Sequence, residues 1–174
     1  ERLCRTDILI IGGGAIDAGL EAEIRQLPGK VYSTYGMTET LSHIALRRLN
    51  GPDASTLYYP FPSVRLSLSP EHTLIIDAPL VCDTILVTND VAEINSDGSF
   101  SILGRKDNTI NTGGIKVQAE QVEDILRPWI HVPFAITSVS DAALGEAVVL
   151  LIENGGYTER LEEKMKELLT KYQL

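Results

Sequence analysis

Cysteine, clustered positive charge and long apolar runs are all scarce in this sequence of 174 residues. The two cysteines, Cys4 and Cys82, lie far apart, and neither has a CxxC partner or a nearby pair of histidines. This spacing argues against a disulfide framework and against a zinc site. We therefore expect reduced thiols in a cytoplasmic protein.

The charge balance and the apolar runs exclude further classes of protein. Lys and Arg number 15 against 24 Asp and Glu, which gives a net charge of −9 and argues against a nucleic-acid-binding surface. The longest apolar runs, such as AVVLLI at 147–152, are too short to span a bilayer, so we expect no insertion into a membrane. The sequence does not begin with Met, and we expect it to be a piece of a longer protein.

Hydrophobic periodicity predicts an α/β segment at the start of the chain. The run DILIIGGG at 7–14 is typical of a buried strand that ends in a glycine turn. Residues 17–27 have helical spacing with Asp17 as a candidate N-cap, and residues 28–36 return as a second strand. In such a β-α-β unit we expect the two strands to be parallel.

A β-rich segment and then an α+β segment follow. The turn-rich residues 50–62 predict a surface connection, and Asp97 and Gly98 predict the turn of a hairpin. The pattern changes after Gly104, so we place a domain boundary between 1–103 and 104–174. The predicted strands are 64–69, 73–78, 84–94, 134–141 and 147–153, and the predicted helices are 119–130 and 158–172.

The glycine turn raises the hypothesis of a dinucleotide-binding loop, which the spacing does not support. Gly12 and Gly14 fit the first two glycines of G-x-G-x-x-G, but the third position is Asp17. The second strand also ends without an acidic residue that could bind ribose hydroxyls. A glycine turn that lets a flat ligand lie close to the backbone remains open.

Residues that could bind a nucleotide ester and its metal follow several of the predicted strands. They occur in YSTYGMTET at 32–40, TND at 88–90, GRKD at 104–107 and NTGGIKV at 111–117. A carboxylate can hold Mg²⁺, hydroxyls and backbone N–H groups can bind phosphate, and an arginine can neutralise developing charge. Each segment alone has an ordinary structural explanation, and only together do they indicate such a site.

These segments resemble three signatures of the adenylate-forming superfamily, which includes acyl-CoA synthetases, luciferase and the adenylation domains of peptide synthetases. Residues 33–40 resemble the first signature, 88–123 the second and 138–152 the third. The resemblance implies an α/β plus α+β fold. Residues 1–103 would be the C-terminal part of the large adenylate-binding domain, with its βαβ unit and β-subdomain. Residues 104–174 would be the small mobile α+β lid.

In the first predicted domain, the resemblance implies a site for ATP and Mg²⁺. Tyr35 would stack on the adenine next to Gly36, Thr38 would contact the α-phosphate, and Glu39 would ligate Mg²⁺. The glycine turn would lie against the adenine and the acyl pocket through three residues: Gly13, Gly14 and Ala15.

Ribose binding and charge stabilisation are implied for two further residues. Asp90 would bind the ribose hydroxyls, and Arg105 would reach the ribose or a phosphate. The residues that the resemblance makes catalytic are Thr38, Glu39 and Arg105.

The resemblance also implies a reaction in two steps with coenzyme A as the usual thiol. A carboxylate attacks the α-phosphate of ATP to give an acyl-adenylate and pyrophosphate, and a thiol then displaces AMP. Asp107 would be the hinge about which the small domain rotates between the steps, and Gly113 and Gly114 would form the loop beside the pantetheine tunnel.

For the acid, the resemblance is strongest to the o-succinylbenzoate–CoA ligases of menaquinone biosynthesis. It makes Thr40, Ser42 and His43 candidate substrate contacts, although His43 could equally be a packed or solvent-facing histidine on a helix. Fatty or aryl acids, a carrier-protein thiol in place of coenzyme A, and a non-catalytic nucleotide-binding relative remain open.

Two segments that the superfamily uses are not found in the sequence. Neither the phosphate loop that precedes these signatures nor the later segment with the lysine that promotes adenylation is present. We therefore expect the chain to be the C-terminal part of a synthetase, cut at both ends, so that the lid 104–174 is incomplete at its C-terminus. Its partner would be the missing N-terminal part of the same protein, and we expect no adenylate formation by the chain alone.

Overall fold

A computed structural model of the chain describes residues 5–14, 16, 18–153, 156–171 and 173. The chain divides into two compact units. The first unit contains residues up to Thr88 together with Ala92–Ile102, and the second contains Asn89–Val91 and the residues from Leu103 onward. Within the described ranges, no helix combines the length and the apolar character needed to cross a bilayer.

The first unit starts with the predicted β-α-β arrangement. Strands β1 (Ile8–Ile11) and β2 (Lys30–Gly36) are parallel, as expected, and α1 (Ala18–Ile24) joins them. Two strands that the periodicity did not reveal, β3 (His43–Arg48) and β4 (Tyr59–Pro60), add antiparallel pairing to give the order β1-β2-β3-β4. The candidate N-cap Asp17 lies outside the described residues.

A small apolar cluster and one buried amide hold this sheet to its helix. Ile24, Val31 and Leu49 are each at most 3% exposed. Asn50 is equally buried, and its amide nitrogen donates to the carbonyls of Leu27 and Gly29 at 2.8 Å. Its amide oxygen accepts from the N–H of Val31 at 3.0 Å. Since every polar group of this buried side chain is bonded, Asn50 fixes the connection between α1 and β2 at little cost.

Four further strands form a second sheet in the order β5-β6-β7-β8. Their bounds are Arg65–Leu68, Thr73–Asp77, Leu86–Ile94 and Phe100–Arg105. The hairpin turn between β7 and β8 lies where it was predicted, with Gly98 at φ +84°. The carboxylate of Asp97 accepts hydrogen bonds from the hydroxyl and the N–H of Ser99, and both bonds lower the pKa of Asp97. Strands β7 and β8 carry the chain from one unit into the other.

The second unit is an antiparallel sheet, in the order β10-β9-β12-β11, with two helices. The elements are β9 (Thr109–Thr112), β10 (Ile115–Gln118), α2 (Ala119–Leu126), β11 (Phe134–Asp141), β12 (Gly145–Ile152) and α3 (Glu159–Leu168). Thr158 caps α3, because its hydroxyl accepts from the N–H of Leu161 at 3.2 Å.

Both helices and the last two strands of this unit were predicted, with small differences at their ends. Helix α3 ends at Leu168, earlier than predicted, because Leu169 has an extended backbone. The predicted end of that helix, Tyr172, lies outside the described residues. Nine of the described residues are buried in its core: Ile110, Val117, Ala119, Val122, Leu126, Ile130, Ile136, Leu161 and Leu169.

Candidate functional site

An open cleft of about 220 Å³ lies in the first unit, where β2 ends and β3 begins. It contains four of the residues that the sequence assigned to the nucleotide or the substrate, together with two that it did not. The lining residues are Gly13, Thr34, Gly36, Met37, Ser42 and His43. Thr34 was missed, although it lies two positions before Gly36 and so shares its face of β2. Gly14 is exposed and is not among the lining residues, and Ala15 lies outside the described residues.

The shape of the cleft depends on Gly36. The pairing of β2 with β3 shifts register between Tyr35 and Gly36. A Cβ atom at Gly36 would lie 2.4 Å from the carbonyl oxygen of Ser42 and 2.7 Å from the Cα of His43. Because both of these neighbours are backbone atoms, no side chain can be accommodated without moving the strand.

Thr40 supports the turn that leads from Gly36 into β3. Its side chain is fully buried, and its hydroxyl accepts from the N–H of Met37 at 3.1 Å. The same hydroxyl donates to the carbonyl of Ser42 at 2.7 Å or to that of Met37 at 3.0 Å. Thr40 therefore shapes the turn, and its contact with the substrate stays a prediction.

The two predicted catalytic residues of this unit are exposed on that turn. Thr38 and Glu39 belong to a 3₁₀ turn over Thr38–Thr40. Among the described residues, the carboxylate of Glu39 has no ion-pair partner. Both side chains are thus free to meet a ligand, although these roles stay predictions.

His43 is on strand β3, so the helical alternative for this residue is wrong. The strand that begins at His43 pairs antiparallel with β2 and is therefore part of the sheet. The Nδ1 atom of His43 lies 3.0 Å from the hydroxyl oxygen of Ser42, and the ring contacts Phe61 with centroids 5.6 Å apart. This half-buried ring is held in place while its neighbour Ser42 is exposed.

Tyr35 is part of an aromatic cluster in the same unit. Its ring meets Phe100 edge-on at 5.4 Å between centroids and Tyr58 at 6.0 Å. Tyr58 also hydrogen-bonds through its hydroxyl to the hydroxyl of Ser33 at 2.9 Å. Tyr35 is therefore rigidly placed, and its stacking on adenine stays a prediction.

In the second unit, the two residues assigned to the ribose are bonded to each other. The Nη1 atom of Arg105 lies 3.2 Å from Oδ1 of Asp90, and its Nη2 atom lies 3.5 Å from Oδ2 of Asp107. The side-chain amide of Asn89 donates to Oδ2 of Asp107 at 3.3 Å. The predicted hinge residue thus belongs to the same polar network as the predicted ribose-binding pair.

Glu120 is a residue of this network that the sequence analysis missed. Its Oε1 atom accepts from the N–H of Arg105 at 3.2 Å and from the side-chain amide of Asn108 at 2.6 Å. A Cβ atom at Gly104, where φ is +153°, would lie 2.4 Å from Oε2 of Glu120. Glu120 lies within 88–123, but the Glu that closes the second signature is Glu123, so no specific signal pointed to this contact.

The second glycine pair forms the turn between β9 and β10. Gly113 and Gly114 have φ values of +57° and +83°, a conformation that favours glycine. The N–H of Gly113 donates to the carbonyl of Leu144 at 2.8 Å. The loop is exposed, and its predicted place beside pantetheine is not tested by these contacts.

Metal binding by protein groups alone is not indicated. In the part of the chain that the structure describes, no three His, Cys, Asp or Glu side chains come together as a cation site. A metal ion at Glu39 would therefore need further oxygen ligands from water or from a bound phosphate.

Comparison with known proteins identifies the superfamily, although no protein-family model matches the chain. A 2-succinylbenzoate–CoA ligase of Lactococcus lactis is 25% identical over 182 residues, which cover 95% of this chain and 40% of the relative. The crystal structure of an AMP-forming acyl-CoA synthetase/AMP-acid ligase II-like protein from Dyadobacter fermentans matches with 34% identity and a TM-score of 0.59. That match covers 95% of this chain and 49% of the other. The chain belongs to the adenylate-forming superfamily.

The fold of the chain matches the C-terminal part of adenylate-forming enzymes. An o-succinylbenzoate–CoA synthetase of Bacillus subtilis, solved with ATP and a magnesium ion, has a TM-score of 0.73 at 20% identity. This match covers 99% of the chain and 43% of the synthetase. The chain spans about 40% of the length of the 2-succinylbenzoate–CoA ligases that it matches. The curated relatives also include a 4-chlorobenzoate–CoA ligase of Arthrobacter and a long-chain-fatty-acid–CoA ligase of Mycobacterium bovis.

Proposed function

We propose that the protein is an acid–thiol ligase that activates a carboxylic acid with ATP and transfers the acyl group to coenzyme A. In the first step a carboxylate oxygen attacks the α-phosphorus and pyrophosphate leaves. In the second step the thiol sulfur attacks the acyl carbon and AMP leaves. The observation that carries the proposal is the cleft in the first unit, because Met37 and Ser42 line it and the turn between them bears Thr38 and Glu39.

The residues around this cleft suit the first step. The exposed hydroxyl of Thr38 can donate to an α-phosphate oxygen, where charge develops during attack. The close approach of the Ser42 and His43 backbone at Gly36 fixes the shape of the cleft, and Tyr35 presents a ring held by its aromatic neighbours.

Mg²⁺ fits the donor that this chain offers. Magnesium is usually held by one or two carboxylates together with substrate phosphates and water. Glu39 supplies one exposed carboxylate with no ion-pair partner among the described residues, and ATP would supply the other oxygens. When bound, the ion would neutralise charge on the phosphates.

The second unit would contribute ribose binding and the change between steps. Arg105 holds Asp90 and Asp107 together, so the carboxylate that would accept the ribose hydroxyls is already oriented. We propose that residues 1–103 belong to the large domain and that 104–174 are the lid, with Asp107 as its hinge. A cytoplasmic setting, where ATP and coenzyme A are found, belongs to the same proposal.

For the acid we propose o-succinylbenzoate, which would place the protein in menaquinone biosynthesis. The proposal is supported by the matches to 2-succinylbenzoate–CoA ligases and by two polar groups in the cleft, the Ser42 hydroxyl and the His43 ring. Because acyl pockets vary within a fold, another aryl or fatty acid is the second candidate.

Carboxylate-dependent ATP–pyrophosphate exchange by the full-length gene product tests this proposal. The panel contains o-succinylbenzoate, benzoates and fatty acids, and coenzyme A is then added to complete the reaction. Exchange with o-succinylbenzoate alone is the expected result, whereas exchange with another acid would replace the substrate and keep the chemistry. Completion only with a carrier-protein thiol would indicate an adenylation domain, and silence across the panel would contradict ligase activity. The chain alone is expected to remain silent.

A further inference from the structure

The carboxylate of Glu146 joins three strands of the second unit. Its Oε2 atom accepts from the N–H of Asn111 on β9 at 2.8 Å, and its Oε1 atom accepts from the hydroxyl of Ser138 on β11 at 2.7 Å. Glu146 itself is on β12. These two hydrogen bonds lower the pKa of Glu146, so the carboxylate remains charged at neutral pH.

A side-chain acceptor is needed here because the main-chain pairing of β9 with β12 is brief. The two strands share one pair of facing residues, Thr112 and Gly145. On its other side, β9 pairs along its whole length with β10. Glu146 adds one charge-assisted hydrogen bond between β9 and β12. Its partner on β9, Asn111, lies two residues before Gly113.

Asp141 completes the support from the neighbouring turn. Its Oδ1 atom accepts from the N–H groups of Ala143 at 2.8 Å and of Leu144 at 2.9 Å. This fixes the turn between β11 and β12, and the carbonyl of Leu144 in that turn accepts from the N–H of Gly113 at 2.8 Å. The path from Asn111 to Gly113 is therefore bonded at one end to β12, through Glu146, and at the other end to the turn between β11 and β12, through Leu144.

We propose that Asp141 and Glu146 are positioning residues for the Gly113–Gly114 loop and, through it, for transfer of the acyl group to the thiol. This inference rests on the proposed function and on the sequence-based expectation that the loop lies beside pantetheine. Asp141 and Glu146 both lie in 138–152, the segment that resembles the third signature. Neither carboxylate is placed in the first step, so their loss is expected to act on the second step alone.

Amide hydrogen exchange on the chain itself tests the contact without any substrate. Glu146→Ala removes both hydrogen bonds, and exchange at Asn111 and Gly113 is expected to accelerate by roughly tenfold or more as local opening becomes easier. Glu146→Gln keeps an oxygen for the N–H of Asn111 and an amide for the Ser138 hydroxyl, so it is expected to restore protection. The matched control is Glu163→Ala, an exposed glutamate of α3. Unchanged protection at Asn111 in Glu146→Ala would overturn the inference.

Separated half-reactions in the full-length gene product test the role of the contact. Glu146→Ala is expected to slow thioester formation from a preformed acyl-adenylate by about 10- to 100-fold, as for a displaced positioning group, while pyrophosphate exchange changes less than about twofold. Glu146→Gln is expected to stay near wild type in both. An equal fall in the two rates, or no fall in thioester formation, would overturn the positioning role. If the wild type shows no ATP–pyrophosphate exchange with any acid, the proposed function fails. The amide hydrogen exchange of the variants still decides whether Glu146 holds the loop.

Discussion

The two units hold their candidate groups in opposite ways. In the first unit the two candidate catalytic residues, Thr38 and Glu39, are exposed, and the Glu39 carboxylate has no ion-pair partner among the described residues. In the second unit, Asp90 and Arg105 already bind each other. The first unit thus has a cleft beside an exposed carboxylate that no ion pair holds, whereas the charged groups of the second unit are already oriented by ion pairs.

This difference follows from what each unit uses as support. Around the cleft, support comes from the backbone, through Gly36 and the buried hydroxyl of Thr40. In the second unit it comes from carboxylates that accept hydrogen bonds, such as Glu120 and Glu146. Substitutions that disturb the backbone around the cleft should therefore have different effects from substitutions that remove a carboxylate charge.

The largest expected effect is that of Gly36→Ala. The added Cβ would meet the backbone of Ser42 and His43, so β2 and β3 would have to separate. We expect a loss of about 2–3 kcal/mol in the free energy of unfolding, typical of overpacking, together with loss of pyrophosphate exchange in the full-length protein. Urea denaturation of the chain measures the first quantity.

Gly14→Ala is the matched control for that substitution. No atom lies within 4 Å of a Cβ at Gly14, so stability should change little. If the two alanine variants unfold at the same urea concentration, the close approach at Gly36 does not set the geometry of the cleft.

A pair of amide substitutions, Glu39→Gln and Asp90→Asn, sharpens the contrast between open and paired carboxylates. Both should lower pyrophosphate exchange, by about 100-fold for Glu39 if it holds Mg²⁺ as proposed. Their stabilities should differ: Glu39→Gln should leave the free energy of unfolding unchanged, whereas Asp90→Asn should cost up to about 1 kcal/mol through its pair with Arg105. Urea denaturation and exchange assays together decide this, and a destabilised Glu39→Gln would show that its carboxylate has a structural role.

Much of the fold was predictable, because strong periodicity coincided with clear turn residues. The parallel pair β1 and β2 followed from a strand, a glycine turn and a helix in sequence. Strand β3 was missed, since HIALRR shows neither clean alternation nor a turn signal before it. The hairpin of β9 and β10 was missed as well, because each strand has only four residues around the glycine pair.

Residue types indicated the site better than they indicated its contacts. Threonine in the run TET gives no sign of whether its hydroxyl faces a ligand or the backbone, so the burial of Thr40 could not be foreseen. The pairing of Asp90 with Arg105 depends on how two strands meet, which local sequence does not specify. Glu146 was visible as part of a signature, yet its partner Asn111 is 35 residues away.

The smallest expected effect concerns pH and compares one turn in each unit. Hydrogen bonds from Ser99 lower the pKa of Asp97, and those from Leu144 and Ala143 lower the pKa of Asp141, both from the ordinary value of 3.8. A lowered folded pKa means that the carboxylate stabilises its turn above the ordinary value and that this contribution is lost as pH falls through the folded one. Carboxyl chemical shifts followed by NMR should therefore titrate with midpoints below pH 3.8 in both turns, and the protection of the Ser99 and Leu144 amides against hydrogen exchange should fall over the same range. Asp141→Asn should abolish the pH dependence at Leu144 and leave that at Ser99 intact. A midpoint at or above 3.8 for Asp141 would mean that its turn does not hold the carboxylate. The support proposed for Gly113 would then rest on Glu146 without Asp141.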